Sequence, residues 1–345
     1  MLHSATQPPS LAPRPWLRRA ALWVIVLAGA IAIGGCANGC SSSTSSLPAL
    51  PTPTATPKPT PTPTPPAVVY VADCGTVCGG AHATTVTGYD AQGNVVALSG
   101  GFPGIKGNNG ITYAPSNGHI YVADCGTCYG TGATTVRVFD AHGNAVALGG
   151  SAFAGLQQPG ITYVAANNQV YVADYKQNKI LPFDLAGNPV AVSGSFASLN
   201  GPYAMAYASD NGHLYVANFK ANTMSVFDLQ GNAVATTGSW AGLNGPAGMA
   251  FVPANHLIYV TNKGAAPGSI TAYDLNGNPQ ALTGTFPGVN QPIGIAYSPK
   301  QNVLYVGNAA GTSPSVIVFN LDGTVHPVAG TWTNADVPVG VTVTQ

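Results

Sequence analysis

Four cysteines in the sequence lie in two closely spaced pairs. Cys74 and Cys78 form one pair and Cys125 and Cys128 the other, and each pair directly follows a Tyr-Val-Ala-Asp segment. Thiolates at this spacing can bind zinc as a four-sulfur site, or they can be oxidised to disulfides. Short-range disulfides are the default in an oxidising compartment. We therefore expect Cys74–Cys78 and Cys125–Cys128 disulfides, with a zinc site as the alternative.

The acidic residues and histidines offer little for acid–base or metal chemistry. The chain contains no glutamate, and all 11 of its acidic side chains are aspartates. Most of these recur at equivalent positions of a repeat, where asparagine replaces them in other copies, and the histidines also lie in turns. A catalytic acid should be singular, whereas Asp and Asn commonly cap turns. We predict no catalytic residue, no metal site and no cofactor.

A set of polar residues recurs just before one strand of each repeat. Its members, expected to surround one mouth of a central channel, are Asn108, Gln157, Asn200, Asn244, Asn290 and Asp336. Loops expected on the same face carry both cysteine pairs and the aromatic residues Tyr129, Tyr175 and Phe219. The amides could brace their own turns, or they could form, with the aromatic rings, a platform for a sugar or a protein. The sequence leaves both interpretations open.

Six repeats position these residues. Each repeat contains Tyr-Val, a small residue and then Asp or Asn, and consecutive copies are 44 to 51 residues apart. The six tyrosines are Tyr70, Tyr121, Tyr171, Tyr215, Tyr259 and Tyr305. A unit of this length, rich in short apolar runs separated by turn residues, is typical of one four-stranded blade of a β-propeller.

The fourth repeat shows the expected strands of a blade. Alternating apolar runs separated by Asn-Gly and Asp-x-x-Gly-Asn turns predict four strands, at 202–207, 213–217, 224–228 and 233–237. Two aromatic positions recur in all six repeats, one closing the third strand and one following the fourth. We expect both to pack between blades, because a ligand site is rarely sixfold.

The two ends of the repeat array predict how it closes. The first repeat begins at Val68 without an inner strand, whereas Pro338–Gln345 matches the inner-strand segments of the two preceding repeats. The C-terminal segment should therefore supply the inner strand of the first blade, which removes an exposed sheet edge. The predicted fold is all-β: a six-bladed β-propeller closed by one C-terminal and three N-terminal strands.

The repeats resemble a known family. Residues 291–297, 303–308 and 316–323 are similar to the NHL repeat, and the resemblance extends over residues 67–345. It implies a propeller that acts as a partner-binding platform or, less often, as an enzyme. In propeller lactonases a glutamate binds the metal ion. This chain contains no glutamate.

The N-terminal residues predict export and a membrane tether. Arg18 and Arg19 precede an apolar stretch of about 14 residues, which is shorter than the roughly 20 that a membrane-spanning helix needs. The residues ending at Cys36 resemble a bacterial lipobox, so residues 1–36 are interpreted as a lipoprotein signal with lipidation at Cys36. Ordinary cleavage nearby and an uncleaved signal anchor are the alternatives. Residues 37–66, rich in Ser, Thr and Pro, should form a semi-rigid tether.

The charge and composition of the chain restrict the classes of partner that it could bind. Beyond residue 66 the chain carries 7 Lys and Arg against 11 Asp, a balance of −4, and no basic cluster that would bind nucleic acid. We expect a non-enzymatic module outside the cytoplasm, anchored to the membrane by lipid, that binds a protein or glycan of the cell envelope. A structural or adhesive envelope component is the alternative, followed by a lyase or lactonase.

Replacing Cys36 by Ser should release the protein from the membrane, because the acylated cysteine would be the anchor of the mature chain. The measurement is fractionation of cells expressing the wild type or the Cys36→Ser variant, with Cys40→Ser as the matched control. An exported Cys36→Ser protein that stays with the membrane after a salt wash would contradict lipidation at this residue.

Overall fold

The computed structural model describes residues 67–78, 83–126, 134–149, 152–264, 266–310 and 315–344. The signal, the tether, Cys36, Cys128 and Tyr129 lie outside these ranges, and the predictions made for them stay predictions. Within the described ranges the protein is all-β, as expected, apart from a single 3-10 turn at Gly75–Cys78. The same ranges contain no helix that is long and apolar enough to cross a membrane.

In the part of the chain that the structure describes, nineteen strands form six small antiparallel sheets. In chain order the strands are β1 Val69–Asp73, β2 Thr85–Tyr89, β3 Asn108–Ala114, β4 His119–Asp124, β5 Thr135–Phe139, β6 Pro159–Val164, β7 Gln169–Asp174, β8 Lys179–Phe183, β9 Pro202–Ala208, β10 His213–Asn218, β11 Thr223–Phe227, β12 Pro246–Val252, β13 Leu257–Asn262, β14 Ser269–Tyr273, β15 Pro279–Gln280, β16 Pro292–Ser298, β17 Val303–Asn308, β18 Val316–Asn320 and β19 Pro338–Val343. Sheet 1 contains β19, β1 and β2, sheet 2 contains β3 to β5, sheet 3 contains β6 to β8, sheet 4 contains β9 to β11, sheet 5 contains β12 to β15, and sheet 6 contains β16 to β18.

The middle strand of every sheet is buried on both faces. In β10, for example, every residue from Leu214 to Asn218 is buried, and the Tyr-Val segments of the other sheets behave in the same way. Side chains on successive residues of a strand point to opposite faces, so a continuous buried run requires a neighbouring sheet on each side. The repeated Tyr-Val motif is therefore the core of the fold.

The inner strands β19, β3, β6, β9, β12 and β16 contact one another in cyclic order. The C-terminal strand β19 pairs with β1 in an antiparallel register that brings Val69 opposite Val343. The inner strands also approach each other closely: a Cβ on Gly248 of β12 would lie 1.9 Å from the carbonyl oxygen of Ile293 in β16. Only glycine permits this approach.

The predicted fourth strand is largely absent. In sheet 4 the predicted strand at 233–237 is reduced to an isolated bridge between Phe227 and Ala233, and among the described sheets only sheet 5 has a fourth strand, the two-residue β15. The reason is a competing backbone partner. After the bridge, the N–H of Gly238 donates to the carbonyl oxygen of Asn276, in the hairpin turn of the next sheet. The segment leaves its own sheet to bind its neighbour.

That segment ends in an aromatic residue that joins consecutive sheets. We call these residues the latch aromatics; they are Phe102, Phe153, Phe196, Trp240, Phe286 and Trp332. Each has a left-handed backbone, with φ between 45° and 54°, and each donates its N–H over 2.9 to 3.2 Å to the carbonyl oxygen of a glycine in the next hairpin turn. The sixth of these bonds runs from Trp332 to Gly93 and joins sheet 6 to sheet 1.

The latch rings fill the space between sheets, as expected for recurrent aromatic positions. Trp240 lies 5.7 Å from the ring centre of Tyr215 in its own sheet and 5.1 Å from that of Tyr273 in the next one. The same arrangement holds at all six junctions, with 4.9 to 5.2 Å to the ring of the following sheet. Offset and edge-to-face aromatic pairs contribute about 0.5–1.5 kcal/mol beyond their burial.

The tyrosines of the Tyr-Val motif add a second bond at each junction. The hydroxyl of Tyr215 donates to the carbonyl oxygen of Leu275 over 2.8 Å, and the equivalent bond from Tyr305 to Ala91 again joins sheet 6 to sheet 1. Burial raises the pKa of Tyr70 and Tyr305 to about 12, with smaller contributions from nearby negative or ionisable groups. The protonated hydroxyl is therefore the form that the fold requires.

Replacing Gly277 by Ala should destabilise the protein more than replacing Gly242 by Ala. Both glycines have left-handed backbones, with φ of +91° and +89°, so the backbone strain is matched. A Cβ on Gly277 would lie 2.4 Å from the ring of Trp240, whereas one on Gly242 would meet only the Tyr273 hydroxyl at 4.0 Å. We expect an additional loss of about 1–3 kcal/mol in the free energy of unfolding, measured in urea. Equal losses would show that the latch contact is not tightly packed.

The Tyr70 hydroxyl should make the stability of the fold sensitive to alkaline pH. A raised pKa means that the folded state holds the proton more tightly, so the stabilisation is complete below about pH 10 and is lost as the pH rises towards 12. At pH 8 Tyr70→Phe should cost about 1 kcal/mol, because the hydrogen bond to Ala141 is lost. Urea unfolding at several pH values should show the gap between wild type and variant closing above pH 10. A constant gap would contradict the assignment.

Candidate functional site

The loop face is the end of the molecule where middle strands lead into third strands and where the chain approaches each inner strand. Antiparallel pairing places these segments together. The last residue of each middle strand is a buried Asp or Asn whose side-chain oxygen accepts a backbone N–H from the approaching loop, as in the 3.0 Å bond from Asn200 to Asn218. Gln157, Asn244, Asn290 and Asp336 make the equivalent backbone bonds. These aspartates and asparagines thus brace the face.

Four of the predicted polar residues lie at the rim of the face. Gln157, Asn200 and Asn244 are exposed, and Asn290 is half-buried. Asp336, also half-buried, donates its N–H to the carboxylate of Asp73, and desolvation raises the pKa of that carboxyl group. In each case the bracing side chain is the Asp or Asn of the middle strand, and the roles predicted for the side chains of these loop residues stay predictions.

Asn108 does not occupy the position that the repeat alignment assigned to it. It pairs with Asp124 as Pro202 pairs with Asn218, so it stands where other repeats have proline, and Lys106 stands in the expected position. The second repeat lacks the proline that sets the register. Asn108 is buried, and its amide donates to the carbonyl oxygens of Asp73 and Thr85 in sheet 1. It joins two sheets, and it also lines the pocket at the centre of the loop face.

A pocket of about 330 Å³ opens at the centre of the loop face. Its apolar lining includes Cys78, Ile293, Ala309, Val337 and Val339. Most of these residues belong to an apolar cluster that also contains Cys74, Cys125 and Ala247. Tyr175 and Phe219, both predicted from the sequence, line the pocket as well. The volume is at the lower end of the range for small-molecule sites, about 300–1,000 Å³.

Three aromatic rings form one side of the pocket. The ring centres of Tyr175, Tyr203 and Phe219 are 5.6 to 6.2 Å apart, and the ammonium of Lys220 lies 4.3 Å above the ring of Tyr175. The hydroxyl of Tyr203 donates to Asn109 over 2.8 Å, which connects sheet 4 to sheet 2. The rings are therefore held by contacts with one another and with residues across the mouth of the channel.

Polar and charged groups complete the lining. The half-buried Lys263 is the one charged side chain among the described residues that line the pocket, and burial lowers its pKa. Gln158 and Gln291 also line it, with φ of 57° and 49° at the position that Gly201 and Gly245 occupy in sheets 4 and 5. A left-handed backbone is unfavourable for any residue except glycine. The two glutamines therefore keep side chains at this position at an energetic cost.

The cysteine loop contributes directly to the pocket. Cys74 and Cys78 form a disulfide, as predicted, with their Cα atoms 5.6 Å apart, and Cys78 lines the pocket. These two sulfurs are therefore not available to the alternative zinc site. Cys125 is also disulfide-bonded; its expected partner, Cys128, lies outside the described residues.

Sequence reasoning missed Tyr203, Asn109, Gln158 and Gln291, which flank the proline position at the start of the inner strands. Variation between repeats is the sequence signal that could have identified these residues. Residues around the proline position differ from one repeat to the next, whereas the adjacent Gly and apolar positions recur. It also missed half-buried aromatic residues, including Tyr207 and Phe251, that line the channel towards its other end. The channel has a volume of about 450 Å³ and is lined by all six inner strands.

Among the described residues, titratable side chains outside the loop face do not form a further cluster. The described residues include no group of three His, Cys, Asp or Glu side chains that could hold a metal ion. On the face opposite the loop face, His256 contacts Asp210. In the hairpin turns, Asp228 accepts hydrogen bonds from the side-chain amide and the backbone N–H of Asn232, and these bonds lower its pKa. These contacts stabilise turns.

Comparison with known proteins agrees with the architecture. The family described as "Lactonase, 7-bladed beta-propeller" matches residues 214–342, which is less than half of the chain. Among curated proteins, none matches. A chain in a crystal structure of a nidogen/laminin complex superposes with a TM-score of 0.61 at 14% identity, over 81% of this chain and 98% of that one. At this identity the likeness concerns the fold alone. Together with the six antiparallel sheets, these similarities show that the chain folds as a β-propeller.

Proposed function

We propose that the protein is a binding module that takes a protein or glycan of the cell envelope at the loop-face pocket. The observation that carries the proposal is the convergence of an aromatic trio, Lys263 and two strained glutamines on one concave site. Apolar walls with a few placed polar groups are typical of binding sites. Loops on a rigid scaffold are where such specificity can vary between related proteins.

The finer architecture belongs to the same proposal. We infer that the six sheets are six NHL-like blades of one ring, and that β19 closes it by pairing with β1. The cyclic order of the inner strands and the two bonds that join sheet 6 to sheet 1 support this inference. The match to a seven-bladed family spans only β10 to β19, so it is compatible with six blades.

The proposed location is the bacterial cell envelope outside the cytoplasm, in the periplasm or at the cell surface, with a lipid anchor in a membrane. Lipidation at Cys36 would anchor the chain, and residues 37–66 would hold the propeller away from the lipid. Two features support a compartment outside the cytoplasm: the export-like N-terminus and the disulfide in the cysteine loop. The acidic balance of the propeller argues against a nucleic-acid partner.

A lactonase is the second candidate, because the matching family carries that description. The two candidates differ in what happens to the ligand. Lactone hydrolysis that follows protein concentration, and that Lys263→Met or Phe219→Ala abolishes, would favour the enzyme. Saturable binding without turnover favours the binding module.

Variants of the loop face should lose binding, whereas variants of the opposite hairpin turns should keep it. Full-length protein in detergent would be screened against glycan and envelope-protein arrays, and ligands would be retested with Tyr175→Ala and Phe219→Ala. Loss of a central aromatic contact typically weakens binding at least tenfold.

Gln230→Ala and His142→Ala are the controls, since these residues lie in hairpin turns on the other face. Thermal melts establish that each variant is folded. Equal losses from both sets, or losses from the hairpin set alone, would show that the ligand binds elsewhere.

A further inference from the structure

We propose that the loop-face pocket binds a carboxylated sugar, a uronic acid residue, with the carboxylate at Lys263 and the sugar ring against Tyr175, Tyr203 and Phe219. The inference rests on the proposed binding function and specifies the chemistry of its ligand.

The charge of Lys263 in the pocket lining favours an anionic ligand. Lys263 is half-buried, and among the described residues the ion pairs join other side chains, Arg137 with Asp124 and His256 with Asp210. No described residue that lines the pocket is acidic. Desolvation lowers the pKa of Lys263 because the charged form loses hydration without gaining a counter-charge. A ligand carboxylate would supply that charge in the mouth of the pocket.

The uncharged lining fits a sugar ring. A sugar presents C–H groups on its faces and hydroxyl groups around its edge, so it needs apolar surface beside hydrogen-bonding groups. The aromatic trio and Ile293 provide the surface, while the amide side chains of Gln158 and Gln291 lie in the same lining. Amides both donate and accept hydrogen bonds, as hydroxyl groups do.

The left-handed backbone of two lining residues is consistent with a role of their amides in the pocket. Gln158 and Gln291 have left-handed φ values, whereas Gly201 and Gly245 fill the equivalent positions of sheets 4 and 5. Glycine would adopt this conformation without steric cost. Strained residues cluster at binding sites, where the side chain has a use that offsets the strain.

The shape favours a sugar over an acidic peptide. The pocket is a compact cavity of about 330 Å³ at the mouth of the channel, and a peptide segment would instead need a groove or a free sheet edge. Each inner strand is an edge strand of its own sheet, but adjacent inner strands contact one another around the channel, so an extended peptide has no single exposed edge to pair with. A single ring with one carboxylate matches the size and the charge.

The test uses full-length protein in detergent and three matched probes: methyl glucuronide, its methyl ester and methyl glucoside, together with the galacturonide series. Saturation-transfer NMR titrations would measure each dissociation constant. We expect the uronide to bind at least tenfold more tightly than its ester or the neutral glycoside. Lys263→Met should remove that preference, so that the variant binds the uronide, its ester and the neutral glycoside with dissociation constants within about twofold of one another. Lys176→Met, an exposed lysine next to Tyr175 on the same face, should change nothing.

The remaining outcomes distinguish failure of the uronic acid inference from failure of the proposed binding function. Equal binding of uronide and neutral sugar, or a preference that survives Lys263→Met, overturns the carboxylate site but leaves the binding module. Binding of a tetra-aspartate peptide without any uronide binding also overturns the sugar assignment. Binding of none of these probes overturns the inference, and the array screen then decides the proposed function separately.

Discussion

A bond between one peptide N–H and one glycine carbonyl, repeated at six junctions, underlies the whole structure. Each latch aromatic adopts a left-handed backbone, donates to the hairpin glycine of the next sheet, and places its ring between two buried aromatic residues. Small sheets gain stability when their apolar faces pack against other elements. The latch couples each sheet to the next, and the tyrosine hydroxyl bonds repeat the coupling a few residues away.

The same interaction explains the missing fourth strands. The segment after each hairpin cannot extend its own sheet and also reach the next hairpin. Each backbone N–H can donate its hydrogen bond either to its own sheet or to the neighbouring hairpin turn, but not to both. In five sheets the segment makes a single bridge, and in sheet 5 the two-residue strand β15, before it crosses, as Val234 and Gly238 show in sheet 4. Contact between sheets is gained at the expense of strand length at the outer edge, where the chain is exposed to water.

Because the latches lie near the hairpin turns, the opposite end is free to vary. Its loops differ in length and chemistry, from the disulfide-closed segment at Cys74 to the short one at Tyr175, while the bracing Asp and Asn residues hold every approach in place. The pocket combines groups from several sheets on this braced frame. The pocket can combine Lys263, aromatic rings and amides, with no acidic side chain among the described lining residues. This is possible because the backbone groups of the surrounding strands already have hydrogen-bond partners within their sheets.

Features that depend on local patterns or on repetition could be predicted from the amino-acid sequence. The all-β class, the six units, the packing role of Phe102 and Trp240, and the Cys74–Cys78 disulfide could all be predicted, because each follows from spacing along the chain. Tertiary structure alone decided where backbone groups find partners across sheets: the bridge at Ala233, the register of Asn108, and the meeting of Tyr203, Gln158 and Lys263 at one pocket. Those residues are distant in sequence and are brought together only by the cyclic packing of the inner strands, a geometry that no local pattern encodes.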